Sequence, residues 1–412
     1  MAHHQQIGSR VMLICPPYHS HLQAFDALAC ALRARGHQVR SLTQPGPPPD
    51  TGRGLRHEVR IGAARTDALC RSGPAQIARF RPDLILGDQT EPAAGLLARH
   101  LGVPMASIAC ALPFDAEPTL PLPFLSWSPV ASPRAIERLK TARRIAQWVM
   151  GPQSRVISAW STAWGLGDRR DFTDCVSDLM TLSQTAPGFD HPRPFGGHRI
   201  RYTGLFCPPL AGPFPDDIRP DPDRPLIYVS LGTLQGHRLA LLSRIARACT
   251  RAGAQVLVTH GGGLTPDQAR RIPATWVRDF VPQRAILTRA DLCVTHGGLN
   301  TAMECLEQGV PMLALPLTND QPGVAARIEA SGTGLRLTPA LATETRILAA
   351  LRRLLADRTF RDRARRFARQ SAAWPRAEGA VDLIETLLPP HARSDELAHG
   401  TQGRDRKAVV DP

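Results

Sequence analysis

Residues 292–304 read Leu-Cys-Val-Thr-His-Gly-Gly-Leu-Asn-Thr-Ala-Met-Glu. An apolar strand pattern runs into a glycine pair, and a helical pattern opens directly behind it. Such a turn aims free backbone N–H groups and the positive end of the helix dipole at one spot, which makes an anion site. Glycines let an anion approach the backbone closely. His296 and Thr301 add side-chain donors, and Glu304 follows one turn further in. Downstream, Gly309-Val310-Pro311 turns into a strand, Met312 to Leu315, and Asp320 and Gln321 come just after it. They fall on the same carboxyl edge of the sheet as the glycine turn, where open α/β sheets bind ligands. Both can pair with hydroxyl groups.

Upstream, the same alternation starts at Leu226 to Ser230 and continues through a helix, Leu239 to Ala252, and strands at Val256 to Thr259, Val277 to Phe280 and Leu292 to Thr295. Residues 208–225, rich in proline and aspartate and without periodicity, read as an interdomain linker. Before them lies another parallel α/β pattern. Strands are expected at Val11 to Cys15, Gln38 to Leu42, Val59 to Ile61, Leu84 to Gly87 and Met105 to Ala109, with helices at Leu22 to Arg35 and Ala93 to His100. The expected organisation is an N-terminal domain over 1–207, a C-terminal domain over 226–390 whose last helices can return to the first, and a polar, disordered tail over 391–412. One stretch breaks the pattern. Between 111 and 130, Pro113, Pro118, Pro121, Pro123 and Pro129 forbid helix interiors and central strands. It is expected as an apolar excursion, either folded onto the domain or forming an acceptor-site rim or membrane-dipping segment through Phe124, Leu125 and Trp127.

The 412 residues suit two domains, and the hydrophobic and charged fractions, 43% and 21%, are those of a globular protein. The net charge of +14 comes almost wholly from arginine, since lysine occurs only at 140 and 407. The arginines are dispersed and lack aromatic platforms, so nucleic acid is not an expected partner. The densest run (Arg361, Arg363, Arg365, Arg366, Arg369) reads as a solvated helix face, with weak attraction to anionic lipid as the alternative. Nine scattered cysteines without a CxxC pair read as free thiols in a reducing compartment. No export signal or spanning apolar stretch is evident, which leads to the expectation of a cytoplasmic protein, or one peripheral to the inner membrane face.

The run from Phe280 to Gln321 resembles the UDP-sugar signature of the family 1 glycosyltransferases. Three further stretches, Ser230 to Arg238, Ala109 to Pro113 and Asp320 to Ala325, resemble the members that glucosylate hydroxylated carotenoids such as zeaxanthin. The resemblance implies a GT-B fold, two facing Rossmann-like α/β domains with a cleft between them. It implies uracil near Phe280, Val281 and Gln283, with the diphosphate at His296, Gly298, Asn300 and Thr301. Glu304 would hold the ribose, Asp320 and Gln321 the glucose, and Gly232 and Thr233 would line the cleft near the phosphates. Plant members begin the signature with a base-stacking Trp; here Phe280 offers a smaller ring.

The same resemblance places a general-base histidine at His21, just before the first helix, with Asp88 as its orienting carboxylate. The residues alone leave helix capping open for Asp88 and an incidental loop position for His21. A neutral imidazole can take the proton of an alcohol attacking the sugar C1 carbon. The implied reaction is a single displacement with inversion, from UDP-glucose as co-substrate to a β-glucoside, with no cofactor and no metal. Val258 to Gly263 repeats the glycine motif, but Thr265 to Gln268 starts its helix several residues later, so His260 is expected to lie away from the donor. Asp221 and Asp223 form a DxD that falls in the linker. The alternatives are another apolar acceptor (macrolide, polyketide, sterol or phenolic) and a nucleotide-sugar-binding protein without transfer activity. An NAD-type oxidoreductase is disfavoured because Pro16 to His21 contains no glycine.

Overall fold

A computed structural model describes residues 8–42, 55–114, 117–194, 197–207 and 212–389. The expected tail, the start of the linker (208–211) and residues 43–54, with their prolines at 45 and 47–49, lie outside the described residues. The first part of the chain runs β1 (Arg10–Ile14), α1 (His19–Ala34), β2 (Gln38–Ser41), α2 (Leu55–Phe80), β3 (Leu84–Asp88), α3 (Pro92–Leu101), β4 (Met105–Ala109), α4 (Pro133–Val149), α5 (Gly151–Ala163), β5 (Thr181–Ser183) and β6 (Ile200–Tyr202). The six strands form one parallel sheet in the order β2-β1-β3-β4-β5-β6. β3 and β4 are buried along their whole length, as expected where helices cover both faces.

The second part begins β7 (Leu226–Ser230), α6 (Leu239–Arg251), β8 (Gln255–Thr259), α7 (Pro266–Ala269), β9 (Trp276–Arg278), α8 (Gln283–Leu287), β10 (Leu292–Thr295) and α9 (Leu299–Gln308). It continues with β11 (Met312–Ala314), α10 (Gln321–Ala330), β12 (Gly334–Arg336), α11 (Glu344–Ala356), α12 (Arg358–Gln370) and α13 (Arg376–Glu385). Its strands make a second parallel sheet, β12-β11-β10-β7-β8-β9. α13 leaves this domain: Ala377, Ala380, Val381 and Ile384 enter the core beneath β1 and α1, and Arg35 reaches Asp382 and Glu385. Arg376 starts the crossing at φ +53, its N–H bonding Thr203 O at 2.7 Å.

Each sheet reverses its strand order once, between β1 and β3 and between β7 and β10. The connections leaving two such neighbours diverge to opposite faces and open a crevice at the carboxyl ends. His21 follows β1 and Asp88 ends β3; Gly232 and His296 follow β7 and β10. Both expected halves of the site therefore stand where the topology makes a crevice.

Two local expectations are corrected. Val59 to Ile61 is no strand but the second turn of α2, because buried Val59, Ala63, Thr66, Leu69, Cys70, Gly73, Ile77 and Phe80 recur at helical spacing over 26 residues. Val59 and Ile61, two β-branched apolar residues either side of Arg60, mimic a strand's alternation only over a short window. α1 starts at His19, so His21 is not in the loop before the helix but within its first turn. The His21 and Leu22 N–H groups bond Tyr18 O at 3.0 and 2.9 Å. The proline pair Pro16-Pro17 holds the chain before Tyr18, and nothing after it delays the helix.

A buried charge cluster joins the domains. Asp190 Oδ1 meets Arg327 Nε of α10 at 2.6 Å, and its other oxygen meets Arg193 at 2.8 Å and the Tyr202 hydroxyl at 2.8 Å. Burial would raise the carboxyl pKa, but the two guanidiniums outweigh it and hold Asp190 at about 2. Asp190→Asn leaves two buried guanidiniums without their carboxylate and is expected to cost about 3 kcal/mol. The urea unfolding midpoint reads this loss.

Candidate active site in the interdomain cleft

In the first half of the site, His21 Nδ1 lies 2.6 Å from Asp88 Oδ2. Asp88 Oδ1 accepts from the Thr90 N–H at 2.8 Å and the Thr90 hydroxyl at 2.6 Å. The capping alternative for Asp88 fails, since the N-cap of α3 is Glu91, whose side chain accepts from Ala93 N–H. Burial would lower the imidazole pKa, but the charge and hydrogen bond of Asp88 outweigh it, and His21 ends above its ordinary value. Asp88, whose burial acts upward, ends below its ordinary value through His21 and Thr90. With Nδ1 committed to the carboxylate, Nε2 is the nitrogen left to take a proton. Tyr18 packs against the imidazole at 5.6 Å between ring centroids, and Arg65 lies over Tyr18.

Cys110 was not anticipated. Its thiol, kept protonated by burial, bonds Asp88, and His21, Asp88 and Cys110 hold their ligand atoms within 4.8 Å of one another. The register of β3 with β4 brings them together, pairing Asp88 with Ile108, which linear spacing does not disclose. Gln89 was also missed: its amide donates to Leu112 O and accepts from Phe114 N–H, at 2.9 and 2.8 Å, and so starts the proline-rich segment at the mouth of the site.

In the second half, the N-cap of α9 is Gly298, which has no side chain to cap with, so the first-turn N–H groups are left for a ligand. Gly297, at φ +83, takes the left-handed turn, and its N–H is satisfied by Thr295 Oγ1 at 3.1 Å. The His296 ring lies between two glycines: a Cβ on Gly298 would stand 2.6 Å from Nε2, and one on Gly232 2.8 Å from Cε1. Burial lowers this imidazole to about 4, against a bond to the Ser230 carbonyl, so it is neutral at neutral pH. Asn300 lies in the first turn and does not cap the helix.

The repeated motif is a scaffold. Gly236 and Gly263 carry no Cβ because the loop after β7 lies on the backbone of His260 to Gly263, with His260 O 1.7 Å from where a Gly236 Cβ would be. His260 is buried, its Nδ1 accepting from Leu264 N–H at 3.2 Å and its Nε2 2.8 Å from Asp279. Thr233 packs on Gly261. His296→Ala is expected to lower kcat/KM about 10²-fold. His260→Ala should lower the melting temperature, with at least tenfold less effect on kcat/KM; steady-state kinetics on folded protein compare the two.

The side chains expected around the base and ribose divide. Phe280 is 66% exposed, its ring near Gly262, while Val281 is half-buried. Gln283 is turned inward: its amide donates to Glu304 at 2.6 Å and Thr301 at 3.3 Å and accepts from the Tyr228 hydroxyl at 2.9 Å. Burial pushes Glu304 up to about 7. Gln321 Oε1 holds the Leu317 and Thr318 N–H groups at 2.8 and 2.9 Å, shaping the turn in which Asn319 has φ +54.

The halves meet at Asp320. Leu112 N–H, from the first domain, is 3.5 Å from its carboxylate, and the charges of Asp320 and His21 act on one another across the cleft. Asp221 and Asp223 stand elsewhere: the Asp221 N–H donates to Gln255 Oε1 at the amino end of β8, and the Asp223 N–H donates to Asp221 Oδ1.

Residues 153–375 match the family described as UDP-glucoronosyl and UDP-glucosyl transferase. The chain belongs to that family. It is 36% identical to a zeaxanthin glucosyltransferase of Pseudescherichia vulneris over 92% of its own length and 98% of the relative's, and 33% identical to one of Pantoea ananas over 92% and 96%. The crystal structure of the glycotransferase of kitacinnamycin superposes with a TM-score of 0.76 at 22% identity, covering 93% of this chain and 99% of that one. The two parallel-sheet domains are thus those of a GT-B glycosyltransferase, and the chain is a transferase. For this glycosyltransferase the glycine turn of α9 and the His21–Asp88 pair stand on opposite walls of one cleft.

Proposed function

We propose that the enzyme transfers glucose from UDP-glucose to a hydroxyl of a carotenoid such as zeaxanthin, with inversion to the β-glucoside. The observation that carries the mechanism is the His21–Asp88 hydrogen bond at the first crevice, facing Asp320 at the edge of the second. The diphosphate sits on the N-terminus of α9, with Gly298 at the N-cap position and Asn300 and Thr301 in its first turn. Uracil covers the exposed face of Phe280, and Gly232 and Thr233 close over the phosphates. Asp320 and the amide of Gln321 take the glucose hydroxyls. Burial raises Asp320, and a sugar hydroxyl donating to its carboxylate offsets that cost.

His21 Nε2 then accepts the acceptor's proton as its oxygen attacks C1 and the bond to the diphosphate breaks. Asp88 stabilises the imidazolium without taking the proton. The helix N-terminus stabilises the leaving UDP, and no cofactor or metal is assigned a role. Neutral His296 gives its single proton to the Ser230 carbonyl, so its contribution is to set the two glycine turns.

The carotenoid acceptor is supported by the two zeaxanthin glucosyltransferases that share most of this chain. Incubation of the purified enzyme with UDP-glucose and detergent-dispersed zeaxanthin, followed by mass spectrometry, is expected to yield mono- and diglucosides. UDP release on other apolar alcohols without zeaxanthin products would overturn the acceptor and leave the chemistry standing.

A further inference from the structure

Arginine dominates two surface helices, and they differ in what accompanies the charge. On α12 the apolar Phe360 and Ala364 are buried, Arg361 pairs with Asp291, and Arg365 packs over Gly309. That helix shows no exposed large apolar residue. On α4 only Leu139 is buried. Its outward face carries Arg134, Arg138, Lys140 and Arg144 against one acid, Glu137, together with Ile145 and Trp148, which are 59% and 72% exposed.

Neighbouring segments extend this face. Arg138 lies over the exposed ring of Trp127 at 5.3 Å, and Arg56, next to exposed Leu55, lies over Trp148 at 5.7 Å. The patch is also tied to the reaction centre. Leu112 lies beside Asp320, Pro123 O accepts from the Gly323 N–H at 2.9 Å, and Arg143 of α4 grips the segment 117–130 through the carbonyls of Glu117 and Leu120.

We infer that α4 and the segment 117–130 seat the enzyme on an anionic lipid bilayer. Charge complementarity names the partner: cations interleaved with tryptophans match a negatively charged headgroup layer over hydrocarbon, where indole rings favour the boundary. A carotenoid dissolves in that hydrocarbon, so docking here brings the cleft to its acceptor. The role of the surface rests on the acceptor assigned above, but its affinity for lipid does not.

Sedimentation of the full chain with vesicles tests it, using phosphatidylcholine alone and phosphatidylcholine mixed with phosphatidylglycerol, without donor or acceptor. Binding is expected to the mixed vesicles, weaker to phosphatidylcholine alone, and to fall with salt. Ile145→Ser/Trp148→Ser and Arg138→Glu/Arg144→Glu should each lower partitioning about tenfold or more. Unchanged melting temperatures and unchanged turnover of a short water-soluble alcohol would exclude misfolding. Arg366→Glu/Arg369→Glu on α12 should leave partitioning unaltered. A wild-type protein that stays in the supernatant, or an α12 variant that loses as much as the α4 variants, overturns the proposal. Zeaxanthin assays that fail while vesicle binding persists would fault the acceptor and not the surface.

Discussion

Replacing His21 by alanine is expected to lower kcat about 10³-fold, with the KM for UDP-glucose changed less than about threefold. The donor is bound by the opposite domain, so losing the imidazole removes a proton acceptor without removing a donor contact. His21 lies in the first turn of α1, fixed by backbone bonds to Tyr18, and alanine keeps that turn. Stopped-time assays of UDP release, with and without acceptor, check the prediction. An equal loss of donor affinity and kcat would point to a collapsed cleft and not to a missing base.

Asp88→Asn is expected to lower kcat to a similar degree, about 10³-fold, and also to move the pH profile. An amide can present its N–H to Nδ1, stabilising the tautomer with the proton on Nε2, which is the wrong one for a base. The sign of the pH effect follows from the causes at His21. The imidazole is active as a base only when neutral, and Asp88 holds its pKa above the ordinary 6.5 against the downward pull of burial. Activity should therefore fall as pH drops through that raised value in the wild type. Without the carboxylate the downward pull remains, and the acid limb should shift to lower pH. A profile that keeps its acid limb in Asp88→Asn would show that another group sets it.

Much of this was readable in the sequence because strand-turn-helix signals are local. The glycine pair at 297 and 298, the strand before it and the helix after it lie within 17 residues, Leu292–Gln308, and the structure builds them as β10 and α9. The position of His21 in chain order was legible, but its helical setting was not, since the first turn of α1 contains polar residues that do not reveal a buried face. In α2, Val59 to Ile61 resembles a strand over three residues, and the helical period shows only over a longer window. β5 and β6, three residues each, are too short to show a period. α4 carries its own signals in the sequence: Ser132 caps it before Pro133, and Arg134, Arg138, Thr141, Ile145 and Trp148 recur on one face. Pairings such as Gln283 with Glu304, or Cys110 with Asp88, depend on which strands and helices become neighbours, and spacing along the chain carries no trace of that.

The anomeric configuration of the product bears most directly on the central claim, that one displacement occurs between the His21–Asp88 wall and the α9 wall. From α-linked UDP-glucose, proton NMR of the purified glucoside should show only the β anomer. An α-glucoside would mean retention, by two displacements or by attack on the face that the diphosphate leaves, and would contradict the assignment of His21 as the base of a single inverting step.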